Sequence, residues 1–165
     1  MNSLEMGQRR YGTIPPAVLA DVRAATRELS TSSDFEWHMK RGARSEWVWT
    51  APPASVRDFV ARAARAVTRH SAQRYYVVVA PPRSRTQAWH YDSDTADFHT
   101  MLLQITGATD AGYTQFEEAD RVFGEGEYCL FDGLDVHRGT GNRTAAPRVF
   151  VYVTFHAPDF VDANH

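Results

Sequence analysis

Apolar positions recur at helical spacing in two early stretches of the chain and at strand spacing through most of the remainder. After Pro15 and Pro16, residues Val18, Leu19, Val22, Ala25 and Leu29 fall near a 3.6-residue period, which predicts a helix ended by Ser30 to Ser33. A second stripe, Val56, Phe59, Val60, Ala63, Ala64 and Val67, has arginines on its other face and predicts a helix from Ser55 to Arg69. Between them DFEWHMKRGARSEWVWT is aromatic-rich and broken at Gly42, so it reads as two short strands around a turn. From Gln73 onward the pattern changes to strands. RYYVVVAPP is a β-branched run stopped by two prolines, and Thr86 to Ser93, HTMLLQIT, TQFEEA, Tyr128 to Asp132 and Val149 to Phe155 follow. Short strands at this spacing predict a mainly β protein, a rolled double sheet of the jelly-roll or cupin kind. The two helices should pack on the outside of one sheet, whose far face must be buried somewhere. The pattern alone does not separate this from other β-sandwiches.

Composition narrows the picture. A chain of 165 residues, 43% hydrophobic and 12% aromatic, fits one domain over 1–165, with helical support at about 15–70 and a β core at about 73–156. The net charge of −2, with both signs interspersed, marks no nucleic-acid or membrane surface, which leaves a small molecule or a peptide as the expected partner. Cys129 is the only cysteine, so no intrachain disulfide and no cysteine-based zinc site forms. MNSLEMGQRRYGTIPP has no apolar core of signal-peptide length, and no later segment approaches a membrane span. A soluble protein in the reducing cytoplasm is the expectation.

The candidate chemistry lies in two places. The stretch Gly124 to Phe155 reads as two strands joined by a functional turn, with Gly133, Gly139, Gly141, Asn142 and Pro147 between them. That places His137 near a strand end and Arg148 at the start of the returning strand, on an adjacent strand facing one cavity. Upstream, WHYD sets His90 and Asp92 on one face of an extended segment, because side chains repeat every second residue. Two imidazoles and a carboxylate therefore converge. That donor set is the facial triad of non-haem Fe(II) oxygenases, which leaves three positions open for cosubstrate and oxygen.

The pattern H-x-D, then H, then R resembles the Fe(II)- and 2-oxoglutarate-dependent dioxygenase superfamily, in particular its phytanoyl-CoA hydroxylase-like and prolyl hydroxylase-like branches. The tripeptide alone is common by chance; the specificity lies in its combination with FDGLDVHRGTGNRT and the following Pro147-Arg148. The resemblance spans roughly Gln87 to Phe155. It implies the double-stranded β-helix fold, with His90, Asp92 and His137 as ligands of Fe(II). Arg148 would take the far carboxylate of 2-oxoglutarate, since a planar guanidinium offsets the cost of burying it. Thr100, Tyr76, Gln87 and Thr144 are further candidate donors to the cosubstrate. Also implied are O₂ as second substrate, ascorbate as a candidate reductant, succinate and CO₂ as products, and hydroxylation, desaturation or ring formation at an unactivated C–H bond. Asp92 argues against halogenation, because halogenating relatives have a small residue at that place.

Other polar residues carry open alternatives. Asp94 and His99 are rival ligands that do not match the family motif, and His99 lines the pocket or the surface. His38, among tryptophans, reads as packing or surface. Asp132 and Asp135 either orient His137 or form turns. Arg83 and Arg85 either clamp a substrate carboxylate or face solvent. The short chain leaves little material for a lid, so the site is either open to a peptide or carrier-bound substrate, or closed by a second subunit, as in a homodimer. A small-molecule substrate is the leading expectation. The same chemistry on a protein residue, and a cupin-like metal protein that uses no 2-oxoglutarate, are the alternatives.

Overall fold

The computed structural model describes residues 9–27, 35–40, 44–95, 97–107, 112–118 and 121–157, with 35–40, 44 and 45 as backbone only. Its elements in chain order are β1 (Arg10–Thr13), α1 (Pro16–Arg27), β2 (Phe35–Lys40), β3 (Arg44–Trp49), α2 (Ala54–Ala64), β4 (Ala72–Ala80), β5 (Phe98–Gln104), β6 (Thr114–Phe116), β7 (Glu127–Asp132), β8 (His137–Gly139) and β9 (Arg148–His156). Seven strands form one antiparallel sheet in the order β1-β7-β5-β9-β4-β3-β2, and β6 pairs with β8 in a small second sheet. This is the expected double-stranded β-helix, mainly β with two flanking helices.

The large sheet has two covered faces, which explains its near-continuous apolar strands. On one face Val77, Met101, Leu103, Leu130, Val151 and Val153 meet Val18 and Val22 of α1 and Val56, Phe59 and Val60 of α2. On the other, Tyr76, Val78, Leu102, Cys129, Phe131 and Phe150 meet Phe116 of the small sheet and Phe123. Each such side chain contributes roughly 1.5–3 kcal/mol by leaving water, so the helical stripes are held by packing on the sheet more than by their own propensity. Among the described residues no helix is long and apolar enough to cross a membrane.

Four expectations are corrected. First, α2 stops at Ala64 instead of Arg69. The Ala64 carbonyl accepts from both Val67 and Thr68, and the Thr68 hydroxyl then takes the His70 N–H, which turns the chain out of the helix. Second, His137 and Arg148 are not on adjacent strands: His137 opens β8 of the small sheet, Arg148 opens β9 of the large one, and β5 lies between β7 and β9. Third, the stretch between them is not all turn: three residues form β8. Fourth, Thr86 to Ser93 is no regular strand. It is an extended edge laid along β8, with hydrogen bonds from Gln87 N to Gly139 O at 2.9 Å, from His90 N to His137 O at 3.0 Å and from His137 N to His90 O at 2.8 Å. The turn expected at Gly42, the end of the first helix at Ser30 to Ser33, and the side chain of His38 lie outside the described residues.

Candidate metal centre

The small sheet brings the triad together. His90 and His137 are direct bridge partners across the ladder, so their rings lie side by side, centroids 4.5 Å apart and planes tilted at 58°. Asp92 sits two residues beyond His90 on the same face. Trp89 and Tyr91 alternate with them and point outward, 40% and 56% exposed. One ligand atom from each of His90, Asp92 and His137 lies within 4.8 Å of the others. Among the described residues this is the sole such cluster.

Hydrogen bonds fix which atoms face inward. His137 Nδ1 is 2.8 Å from the Asp135 carbonyl, and His90 Nδ1 is 3.0 Å from the Ala88 carbonyl. A carbonyl only accepts, so each Nδ1 carries the proton and each Nε2 keeps a lone pair for a metal. Both rings are therefore held in the ligating tautomer by their own backbone. Asp92 accepts at Oδ2 from the Thr100 hydroxyl at 2.7 Å, and its Oδ1 lies 3.7 Å from His137 Nε2. The donor set is two imidazoles and one carboxylate, which suits Fe(II) in a facial arrangement.

Of the two aspartates that could orient His137, Asp135 does so through its carbonyl. Its carboxylate accepts from Arg9 Nη2 at 2.8 Å and from Arg9 Nε at 2.9 Å. Burial pushes the Asp135 carboxyl up, and the bonds from Arg9 pull against that. Asp132 forms the turn instead, accepting from Leu134 N at 2.9 Å. The rival ligands fall away: Asp94 is exposed, and His99 is buried on the helix-facing side of β5, not in the pocket or on the surface. There its ring lies 6.4 Å from that of His70. Burial holds the His99 imidazole below its usual pKa.

The three side chains line a narrow cleft of about 40 Å³ that opens to solvent. Leu102, Val78, Phe150 and Tyr152 of the large sheet form its apolar wall, with Gln87, Thr114 and Glu46 as polar lining. Arg148, 1% exposed, does not line this cleft with His137 as expected; it stands behind the wall, against Thr114 and Phe150. Its Nε donates to Gln104 Oε1 at 3.0 Å, Nη2 to Thr114 Oγ1 at 3.4 Å, and its guanidinium lies over Phe150. The four other candidate donors fare differently. Gln87 lines the cleft, its Oε1 accepting from Gly139 N at 2.8 Å. Thr100 gives its hydroxyl to Asp92. Tyr76 is buried, its hydroxyl accepting from Arg74 at 3.3 Å. Thr144 is outside the cleft lining, in a turn with Asn142 Oδ1 at 2.8 Å. Arg83 and Arg85 are exposed and line no part of the cleft.

Sequence reasoning missed Glu46, Gln104, Thr114 and Arg9. Gln104 alone left a signal, a polar side chain at the end of an apolar run.

No family model matches the sequence, and no curated protein does. Solved structures do resemble the fold. The non-heme, alpha-ketoglutarate-dependent epimerase SnoN from nogalamycin biosynthesis aligns with a TM-score of 0.73 at 12% identity, over 90% of this chain and 78% of that one. A Pseudomonas putida prolyl-4-hydroxylase aligns at 0.67 and 12% identity, over 90% and 91% of the two chains. EctD from S. alaskensis, solved with 2-oxoglutarate and 5-hydroxyectoine, aligns at 0.68 and 14% identity, over 90% and 72%. At these identities the shared property is the fold.

Proposed function

We propose that this chain, built on the fold of the 2-oxoglutarate-dependent oxygenases, is an Fe(II)- and 2-oxoglutarate-dependent dioxygenase that oxidises an unactivated C–H bond of a small molecule. One observation carries the reading: His90, Asp92 and His137 place ligand atoms within 4.8 Å, with both imidazoles tied through Nδ1 to backbone carbonyls. Structural neighbours lend support, since SnoN has been solved with Fe3+ and alpha ketoglutarate, and EctD with 2-oxoglutarate.

In this reading His90 Nε2, His137 Nε2 and Asp92 Oδ1 hold the metal, and Thr100 keeps the other carboxylate oxygen occupied. When bound, Fe(II) with 2-oxoglutarate and O₂ supplies oxidative decarboxylation coupled to oxidation of a C–H bond. The chain's own task is placement. Arg148, held by Gln104 and Thr114, takes the far carboxylate of 2-oxoglutarate, a role suited to a buried planar cation. Val78, Leu102 and Phe150 exclude water on the large-sheet side.

Anaerobic titration of the iron-loaded protein with 2-oxoglutarate tests this. A visible charge-transfer band, followed by succinate on exposure to air, is the expected result. Iron binding with neither band nor succinate would leave a cupin-like metal protein that does not use 2-oxoglutarate.

A further inference from the structure

Resting on the oxygenase reading, which makes His137 a ligand, we propose that Arg9 is a positioning residue for the metal centre. It locks the turn before β8, so that the His137 ring keeps its ligating nitrogen aimed at the metal. Arg9 immediately precedes β1, the edge strand of the large sheet, and its side chain reaches across to the small one. Its Nε donates to Asp135 Oδ2 at 2.9 Å and its Nη2 to Oδ1 at 2.8 Å, a planar fork on a carboxylate. The two side chains are only 4% and 8% exposed.

Two paths run from Arg9 to the His137 ring. The first passes through Asp135, whose N–H donates to the Asp132 carbonyl at 3.0 Å and whose own carbonyl stands 2.8 Å from His137 Nδ1. With the N–H tied on one side and the carboxylate held by Arg9 on the other, that carbonyl is kept facing the imidazole, and the proton stays on Nδ1. The second passes through Phe116. The guanidinium lies over its ring, 4.0 Å from the centroid, and the ring packs on that of His137 with centroids 5.9 Å apart. None of these contacts reaches His90, whose Nδ1 is tied to the Ala88 carbonyl in its own segment. Energetics point to direction as the benefit. A buried ion pair regains by attraction little more than its desolvation costs, and apolar side chains in its place often leave stability unchanged or higher. They cannot, however, hold a backbone carbonyl against an imidazole.

The test reads the tautomer of each ring by NMR in metal-free protein, isotope-labelled at the histidine nitrogens, with His90→Gln and His137→Gln assigning the signals. Affinity for Fe(II) is read separately, by anaerobic competition with a chromogenic chelator. Both rings of the unaltered protein should carry their proton on Nδ1. Arg9→Met should mix the tautomers of His137 alone and lower metal affinity by about tenfold or more, the usual effect of removing the support of a ligand. Because that change leaves Asp135 buried without its cation, Arg9→Met combined with Asp135→Leu is its companion. The paired variant should keep a urea midpoint near that of the unaltered protein while both losses persist. Arg9→Lys should recover part of the affinity, since a point charge lacks the planar fork. The proposal is overturned if His90 and His137 are disturbed alike, or if the paired variant either unfolds or binds metal as tightly as the unaltered protein. Unaltered protein that binds no metal overturns the oxygenase reading itself, which separates the two failures.

Discussion

The Thr100 hydroxyl donates to Asp92 Oδ2 at 2.7 Å, a bond that ties the large sheet to the segment carrying the metal ligands. Thr100 is fully buried on β5, and Asp92 stands at the edge of the small sheet. With Oδ2 occupied, the carboxylate turns Oδ1 toward His137 Nε2, 3.7 Å away. That leaves Oδ1 as the carboxylate oxygen that faces His137.

Thr100→Val keeps the branched shape of the side chain and deletes that donor. Metal affinity, measured by competition with a chromogenic chelator, should fall by about tenfold or more, the usual effect of removing a partner of a ligand. Thr100→Ser should restore it. An unchanged affinity in Thr100→Val would show that Asp92 is held by something else.

Legibility in the sequence followed the range of the interactions. The helical stripes were readable because Val18, Val22, Val56, Phe59 and Val60 bury against one surface, so their spacing records a local geometry. The triad was readable because H-x-D places two ligands on one face and the histidine-to-arginine offset accompanies it. β1 and β8 were not. Each is short, and each is defined by a distant partner, β1 by β7 and β8 by the segment around His90. The face of His99 was hidden for another reason: every residue of β5 is buried, so alternation gives no direction.

Arg148→Ala should weaken 2-oxoglutarate binding by about 100-fold, the worth of a pair of charge-assisted hydrogen bonds to a carboxylate, and leave iron affinity nearly unchanged. Arg148→Lys should fall between, since a point charge lacks the planar fork. Iron and 2-oxoglutarate titrations of each variant check this, and equal loss of both ligands would count against Arg148 as the carboxylate partner.

His99 makes stability depend on pH. Burial lowers its pKa in the folded chain, Asp132 opposes that shift, and His70 adds to it. The unfolded chain therefore takes up a proton near the ordinary histidine pKa of about 6.5 that the folded chain refuses until lower pH. Stability should fall as pH drops below about 6.5, and level off once the folded-state value is passed. Denaturant midpoints across this window should show the slope, and His99→Leu should flatten it. A slope equal in both proteins would assign the effect to other groups.

Gly133 is the junction through which the large sheet sets the height of Asp92. Its N–H donates to Phe98 O at 2.8 Å, and its carbonyl accepts from Asp92 N and Ser93 N at 2.9 and 3.0 Å. A Cβ placed there would lie 2.7 Å from Phe98 Cδ1 and 3.0 Å from Phe98 O, closer than packed atoms approach. The backbone oxygen cannot swing aside as a flexible side chain would, so Gly133→Ala must move the segment that carries Asp92. The expected cost is roughly 1–3 kcal/mol of stability, typical of overpacking, with a loss of metal affinity alongside it. Gly124→Ala is the control, because a Cβ there meets nothing within 4 Å. Urea midpoints and metal titrations of the two variants should separate cleanly, and a Gly133→Ala protein that matches the parent in both would mean that Asp92 is positioned from its own strand alone.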